Sequence, residues 1–303
     1  MKTKKMVAVF VLLSSICVAR VSHKSIYGDD NREEARNYHD HSIADMASSV
    51  AAMVHVNDLT DLGGNLFDFG KTTLGEAVNL CPGEIYADQY SLAACSGFLI
   101  SSDILVTAGH CVLNMNDCNN YKWVFDYYDD SETFDGNNIY SCKKIIDQKY
   151  KESSWSVKDY AIIKLDRPVS KRSPLKFRKS GRLSKKDNLA IIGHPAGLPM
   201  KIAGDAKKQK WSKDEKSSFI KSLFKKYYYF RADLDSFAGN SGSPVINTDN
   251  GMVEGILVSG ARDFITTYNY GDPCRTHARY QNHDSEAEET VFKITRIKIL
   301  KKL

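Results

Sequence analysis

The sequence predicts an all-β protein, a barrel or a sandwich, and three observations carry that expectation. Short apolar runs recur at 98–100, 104–107, 123–125, 145–146, 160–165, 189–192, 227–230, 244–246 and 253–258, each of strand length and bounded by polar loops. No repeat with a period of about 20–50 residues is visible, and no low-complexity linker divides the chain. Helical spacing is confined to two places. Residues 217–226 carry Phe219, Ile220, Leu223 and Phe224, and residues 290–300 carry Val291, Ile294 and Ile297. Both are expected as peripheral helices, the second a short C-terminal one.

At 303 residues the chain exceeds the common domain size, but all-β domains often run to about 200–250 residues. With 42% hydrophobic and 26% charged residues it has the composition of a soluble globular protein, which excludes collagen-like, disordered and multi-span membrane classes. Lys2, Lys4 and Lys5 precede an apolar run over residues 6–18, and Cys17 and Ala19 stand three and one residues before a cleavage point. Residues 1–19 are therefore expected to be a secretory signal peptide. The run falls short of the ~20 apolar residues of a membrane span, and bulky Ile16 argues against a lipid-anchored Cys17. Removal of this segment takes three lysines and no acid, lowering the formal charge from +5 to +2. Six cysteines remain, an even number suited to disulfides in an oxidising compartment.

Residues 20–45, polar and mixed in charge, read as an N-terminal arm or a short pro-segment, and residues 46–303 as the folded domain. Residues 48–54 (SSVAAMV) read as a strand and residues 58–70, rich in Gly and Asp, as turns. The runs 98–100 and 104–107 bracket a Ser-Ser-Asp turn and so predict a hairpin.

Three segments carry the chemistry. Thr107-Ala108-Gly109-His110-Cys111 displays an imidazole at a strand end. Asp159 opens the apolar strand DYAIIKL, and Gly239-Asn240-Ser241-Gly242-Ser243-Pro244 flanks a hydroxyl with glycines that expose backbone amides. Each alone has an ordinary explanation: a structural histidine, a turn aspartate, a turn serine. Together they offer what a serine nucleophile requires, namely a base within reach, a carboxylate that holds the base, and amides aimed at an oxyanion.

In the order His, Asp, Ser, these motifs resemble those of the trypsin-like serine peptidases. The resemblance covers most of residues 48–260 and implies two six-stranded antiparallel β-barrels of the chymotrypsin type with the active site between them. It implies His110 as general base and acid, Asp159 as its orienting carboxylate, Ser241 as nucleophile, and the amides of Gly239 and Ser241 as the oxyanion hole. Cys95 and Cys111 flank a hairpin-like segment, as in the family's disulfide beside the histidine, so Cys95–Cys111 is the implied bridge. Cys118–Cys142 and Cys81–Cys274 are the leftover pairings, open among the ~15 connectivities of six cysteines.

The chain also departs from the family's animal members. Asn240 stands where they carry the Asp that pairs with a new α-amino group, so activation by that ion pair is not expected. The GNSGSP and HPAGLP segments resemble the bacterial glutamyl endopeptidases. Leu257, however, occupies the place of the histidine typical of that branch. Asp235, six residues before Ser241, falls where the pocket-floor acid of trypsin-like enzymes lies, with Ser236 beside it. In the pocket it favours Arg or Lys before the cut; a structural role is the competing reading. Val258, Ser259 and Gly260 are expected to pair with substrate backbone as a strand.

Residues 201–231 hold ten basic and three acidic residues with aromatic residues interleaved, but no nucleic-acid motif, so a solvated insertion is expected and no nucleic-acid partner. Histidines at metal-ligand spacing are lacking, so no catalytic metal and no organic cofactor is expected; the acidic residues 126–135 lack the EF-hand pattern and read as a solvated loop, with calcium left open. The sequence thus reads as a secreted, monomeric serine endopeptidase acting on polypeptides, with no membrane span. A secreted homologue that binds without cutting is the rival.

Overall fold

The computed structural model describes residues 26–153, 156–210, 226–280 and 289–302. Twelve strands form two closed barrels. The first comprises β1 (Val50–His55), β2 (Cys95–Leu99), β3 (Ile104–Thr107), β4 (Tyr121–Phe125), β5 (Ile139–Ser153) and β6 (Ser156–Leu165), closed in the order β5-β6-β3-β2-β1-β4. The second comprises β7 (Asn188–Gly193), β8 (Lys201–Gln209), β9 (Tyr229–Ala232), β10 (Pro244–Asn247), β11 (Met252–Ser259) and β12 (Glu289–Lys293). Its order is β7-β10-β11-β12-β9-β8, closed by pairing of β7 with β8. All pairings within both barrels are antiparallel.

Closure removes sheet edges, and it also explains why several strands read as apolar runs rather than alternating ones. In β7, β10, β11 and β12 successive side chains point to opposite faces. Ile191, Val245, Leu257 and Val291 fill the second barrel, while Ile192, Ile246, Ile256 and Phe292 enter the larger core shared with the first. Both faces are thus buried, so neither selects polar residues. Tyr160 of β6 meets Phe292 of β12 across the barrels with ring centroids 5.3 Å apart.

The apolar runs are strands as expected, except that Tyr227 and Tyr228 belong to a helical turn that precedes β9, and residues 98–107 form the β2–β3 hairpin. Elsewhere the fold corrects the sequence reading. Residues 289–293 are strand β12 rather than helix, followed by two 3-10 turns, Ile294–Arg296 and Ile299–Lys301. Val291 and Phe292 face opposite sides of a two-sided core, which a helix would not allow. The basic stretch begins as β8, with Lys201 buried rather than solvated. Its ammonium lies 2.6 Å from Glu34 Oε1 and 2.6 Å from Gln89 Oε1. The turn-rich stretch contains the hairpin Leu59–Gly63 and Leu66–Phe69. The expected helix at 217–226 and signal peptide at 1–19 fall outside the described residues, apart from Lys226.

Residues 26–45 lie along the second barrel. Arg32–Glu34 adds a strand to β8, and Ile26 and Ile43 are fully buried. Three disulfides join Cys95–Cys111, Cys118–Cys142 and Cys81–Cys274. The last spans 193 residues of sequence and ties the connection between β1 and β2 of the first barrel to the hairpin strand Asp272–His277. Closure of so long a loop restricts the unfolded chain most. The double variant Cys81→Ser/Cys274→Ser is expected to lose about 2–5 kcal/mol of stability, read from the denaturant midpoint.

Candidate active site

Where β3 ends, the TAGHC segment turns toward β6, and Asp159 receives it. Asp159 Oδ1 accepts the backbone N–H of Gly109 at 2.6 Å and of His110 at 3.0 Å, while Oδ2 lies 2.8 Å from His110 Nδ1. The carboxylate is buried and His110 partly exposed. A carboxylate only accepts, so Nδ1 carries the proton and Nε2 presents a lone pair. Tyr150 meets the His110 ring edge-on, with centroids 6.0 Å apart.

Ser241 is set by its backbone. Its carbonyl accepts Ser96 N–H at 2.8 Å and lies 3.7 Å from Cys111 Sγ, next to His110. Among the described residues no hydrogen bond joins the Ser241 hydroxyl to the His110 ring; such bonds often tighten only with substrate bound. The sulfurs of Cys95 and Cys111 and a ring nitrogen of His110 lie within 4.8 Å of one another, but both sulfurs belong to a disulfide and are not metal ligands.

Sequence reasoning missed Ser96, a fully buried residue of β2. Its hydroxyl donates to Gly239 O at 2.9 Å and accepts from His194 N at 3.1 Å, and its carbonyl accepts from Thr107 Oγ1 at 2.7 Å. The serine thereby joins the nucleophile loop, the histidine-bearing hairpin and the loop after β7. Nothing in the motif CSGFLI marks it, because an apolar strand makes a buried hydroxyl look incidental.

The loop from His194 to Pro199 shapes the oxyanion side. Ala238 O accepts from Ala196 N at 2.5 Å. In a trans peptide the following N–H points the opposite way, so that of Gly239 faces away from this loop. Gly239 has φ of +93°, and a Cβ there would sit 2.4 Å from His194 O. Glycine is required on both counts. Among the described residues neither Gly239 N–H nor Ser241 N–H donates to a protein acceptor. Asn240 Oδ1 accepts from Ser243 Oγ at 3.3 Å, while Ile26 N bonds to Ala278 O at 2.9 Å. The arm is therefore held by backbone pairing, away from Asn240.

Asp235 is buried, and both of its carboxyl oxygens are engaged. Its two oxygens accept the N–H groups of Tyr27 at 2.7 Å and Asn31 at 3.0 Å, fastening the arm. Burial pushes its carboxyl up to about 7, against the lowering effect of those two amides. A different acid, Glu289 of β12, is fully buried behind the expected substrate wall. Ser236 donates a side-chain hydrogen bond to it, its Oε1 accepts Ala261 N–H at 3.4 Å, and a Cβ on Gly260 would fall 2.0 Å from its Oε2. That Oε2 has no hydrogen-bond partner among the described residues, and burial holds the carboxyl well above the usual range. A bulge between Leu257 and Ser259 leaves Val258 outside the β11–β12 register; Val258 is buried, while Ser259 and Gly260 are exposed.

Two closed barrels with this constellation between them define the chymotrypsin-fold serine peptidases. A sequence-family model for the trypsin-like peptidase domain matches residues 95–256, more than half of the chain, and the chain belongs to that family. Among solved structures it is similar to a Glu endopeptidase in complex with MPD, at 17% identity and a TM-score of 0.50 over 92% of this chain and 100% of that one. The VesB protease of Vibrio cholerae matches at 12% identity and a TM-score of 0.49, over 89% of this chain and 65% of that one. The Rv3671c protease of M. tuberculosis in its active form matches at 14% and 0.45, over 85% and 81%. At such identities the likeness is one of fold, and the Glu endopeptidase carries it.

His194 makes the site acid-sensitive. It is fully buried, stacked on Tyr127 with centroids 5.6 Å apart, and its Nδ1 lies 3.0 Å from Leu198 O. Burial, followed by the charge of Lys201, holds its pKa down to about 4, while Leu198 O acts in the other direction. The unfolded chain therefore binds a proton here that the native state refuses. Stability is full above about pH 6.5 and falls as pH drops toward 4, by about 3 kcal/mol at this one residue. Buried Asp235 and Glu289, whose carboxyls are raised, change stability in the opposite sense over the same window. The readout is therefore the difference in urea midpoint between the protein and His194→Gln, which should shift against the intact protein as pH falls from about 6.5 to about 4.

Proposed function

We propose that the protein is a secreted serine endopeptidase that cuts polypeptides through an acyl-enzyme on Ser241. The observation that carries this reading is the Asp159 carboxylate, which accepts from both loop amides and lies against His110 Nδ1. With the ring so held, Nε2 takes the Ser241 proton as Oγ attacks the scissile carbonyl. Charge developing on the carbonyl oxygen meets the N–H groups of Gly239 and Ser241. His110 then returns its proton to the leaving amine, and water releases the acyl group by the same steps. Ser259 and Gly260 present backbone for a substrate strand. Three disulfides support an oxidising compartment, and no helix among the described residues is long and apolar enough to cross a membrane. Residues 1–19 act as the signal that takes the chain there.

Incubation with an unbiased peptide library, with every cut mapped by mass spectrometry, tests the reading. The intact protein should cut and Ser241→Ala should not, while Asp159→Asn should retain the fold and lose roughly 10⁴-fold in kcat. Absence of cutting by the intact protein would overturn the reading.

Specificity is assigned to Glu289, the acid behind Ser236 and Gly260, rather than to Asp235, whose oxygens hold the arm. The raised carboxyl loses its proton when a cationic side chain reaches it, and the pair so formed favours Lys or Arg before the cut. In the same library Glu289→Gln should lower cutting after Lys and Arg relative to Leu by about tenfold to a hundredfold, the worth of a charge-assisted bond. Asp235→Asn should leave that ratio unchanged and loosen the arm. An unchanged ratio in Glu289→Gln would remove this assignment while leaving the peptidase intact.

A further inference from the structure

On the flank of the second barrel, residues 178–183, β8, Lys226 and Tyr227, and the turn after β12 enclose a cleft of about 370 Å³. Six cations line it, namely Arg178, Arg182, Lys208, Lys226, Lys293 and Arg296, and Glu254 is the one acid among its described lining residues. Glu254 is already engaged, its two oxygens each 2.6 Å from Arg178 Nε and Nη2. Five cations therefore face the cleft with no carboxylate among its described lining residues to balance them.

Their positions are set by neutral groups. Lys208 Nζ donates to Leu183 O at 3.1 Å. Lys293 Nζ donates to Lys226 O and, at 3.2 Å, to Tyr227 O. Arg296 Nε donates to the same Tyr227 carbonyl at 3.1 Å, with its guanidinium 3.7 Å over the Tyr227 ring. Carbonyl oxygens orient these groups without cancelling their charge. Lys185 and Asp187 act on Lys208 from the neighbouring loop with opposite sign, which leaves the balance strongly positive. Partial burial, then Arg296, Lys208 and Arg182, bring the Lys293 ammonium down to about 8. Like charges held this close are relieved by an anion between them.

We propose that this cleft binds the phosphate or sulfate group of a ligand through Arg182, Lys208, Lys293 and Arg296. Guanidinium forks match the oxygens of such groups, and the lysines add point charge. The volume exceeds that of a bare oxyanion and falls within the range of small-molecule sites, so the ligand carries a body that rests on Tyr227 and Phe230. The group comes either from a soluble phosphate ester or from an anionic lipid headgroup. This site does not depend on the peptidase reading, because none of its residues belongs to the hydrolytic constellation.

The test uses the full chain carrying Ser241→Ala, so that self-cleavage plays no part. Inorganic phosphate titrated into it should bind saturably, raise Tm, and move the Lys293 titration upward from about 8, followed by NMR. The double variant Arg182→Gln/Lys293→Gln should weaken binding about tenfold or more. Lys301→Gln/Lys302→Gln, outside the cleft, should not, and matching Tm values without phosphate establish that all are folded. Co-sedimentation with phosphatidylglycerol vesicles that the cleft variant abolishes would assign the group to a lipid. Phosphate binding without vesicle binding would assign it to a soluble ester. No saturable phosphate binding, or binding and vesicle retention indifferent to the cleft variant, would overturn the proposal.

Discussion

The site depends on the hydrogen bonds of one buried serine. Ser96 lies in the first barrel, and three of its polar atoms reach the second or the histidine loop: N–H to Ser241 O, Oγ to Gly239 O and from His194 N, carbonyl oxygen from Thr107 Oγ1. Two closed barrels have no edge strands with which to join each other, so their relative position rests on side-chain packing and on a few such polar links. In a dry interior each link is strong, and each is costly to leave unmade. The nucleophile loop and the base are thus positioned through one residue that need not touch substrate.

Around that link the molecule uses buried polar groups sparingly and pairs them. Arg32 is buried with Asp30 at 2.7 Å, Lys201 with Glu34, and Asp235 takes two amides of the arm. The first lies within the arm, and the other two bind residues 26–45 to the second barrel, together with the strand Arg32–Glu34. A buried ion pair contributes little net stability, but losing one partner strands a charge away from water. The arm is therefore held in a single register on the second barrel. Glu289 and His194 are completely buried, and each bears a side-chain atom without a hydrogen-bond partner among the described residues.

The cation cleft follows a contrasting arrangement. There the charges are half-exposed, of one sign, and oriented by carbonyl groups, which leaves their attraction to an outside anion intact. The arm's cations are neutralised from within the chain, whereas five of those in the cleft meet no carboxylate among its described lining residues. Arg178 is the boundary between the two regimes, because Glu254 satisfies it from the core side.

The sequence by itself determined the parts whose meaning is local. TAGHC, DYAIIKL and GNSGSP announce a histidine, an aspartate and a serine in fixed chemical surroundings, because each depends on a strand end or a glycine turn encoded within a few residues. The strand runs were legible for the same reason, as was the bridge Cys95–Cys111 once the motifs were recognised. Only the tertiary structure decided what depends on partners distant along the chain. Asp235 became an anchor for the arm because Tyr27 and Asn31, some two hundred residues earlier, present their amides to it. Glu289 came to lie behind Gly260 through the pairing of β12 with β11. Lys201 could be buried only because Glu34 and Gln89 meet it, and residues 289–293 became a strand because two cores claim their opposite faces. Burial and partnership are properties of the closed barrels, and no window of sequence contains both members of such a pair.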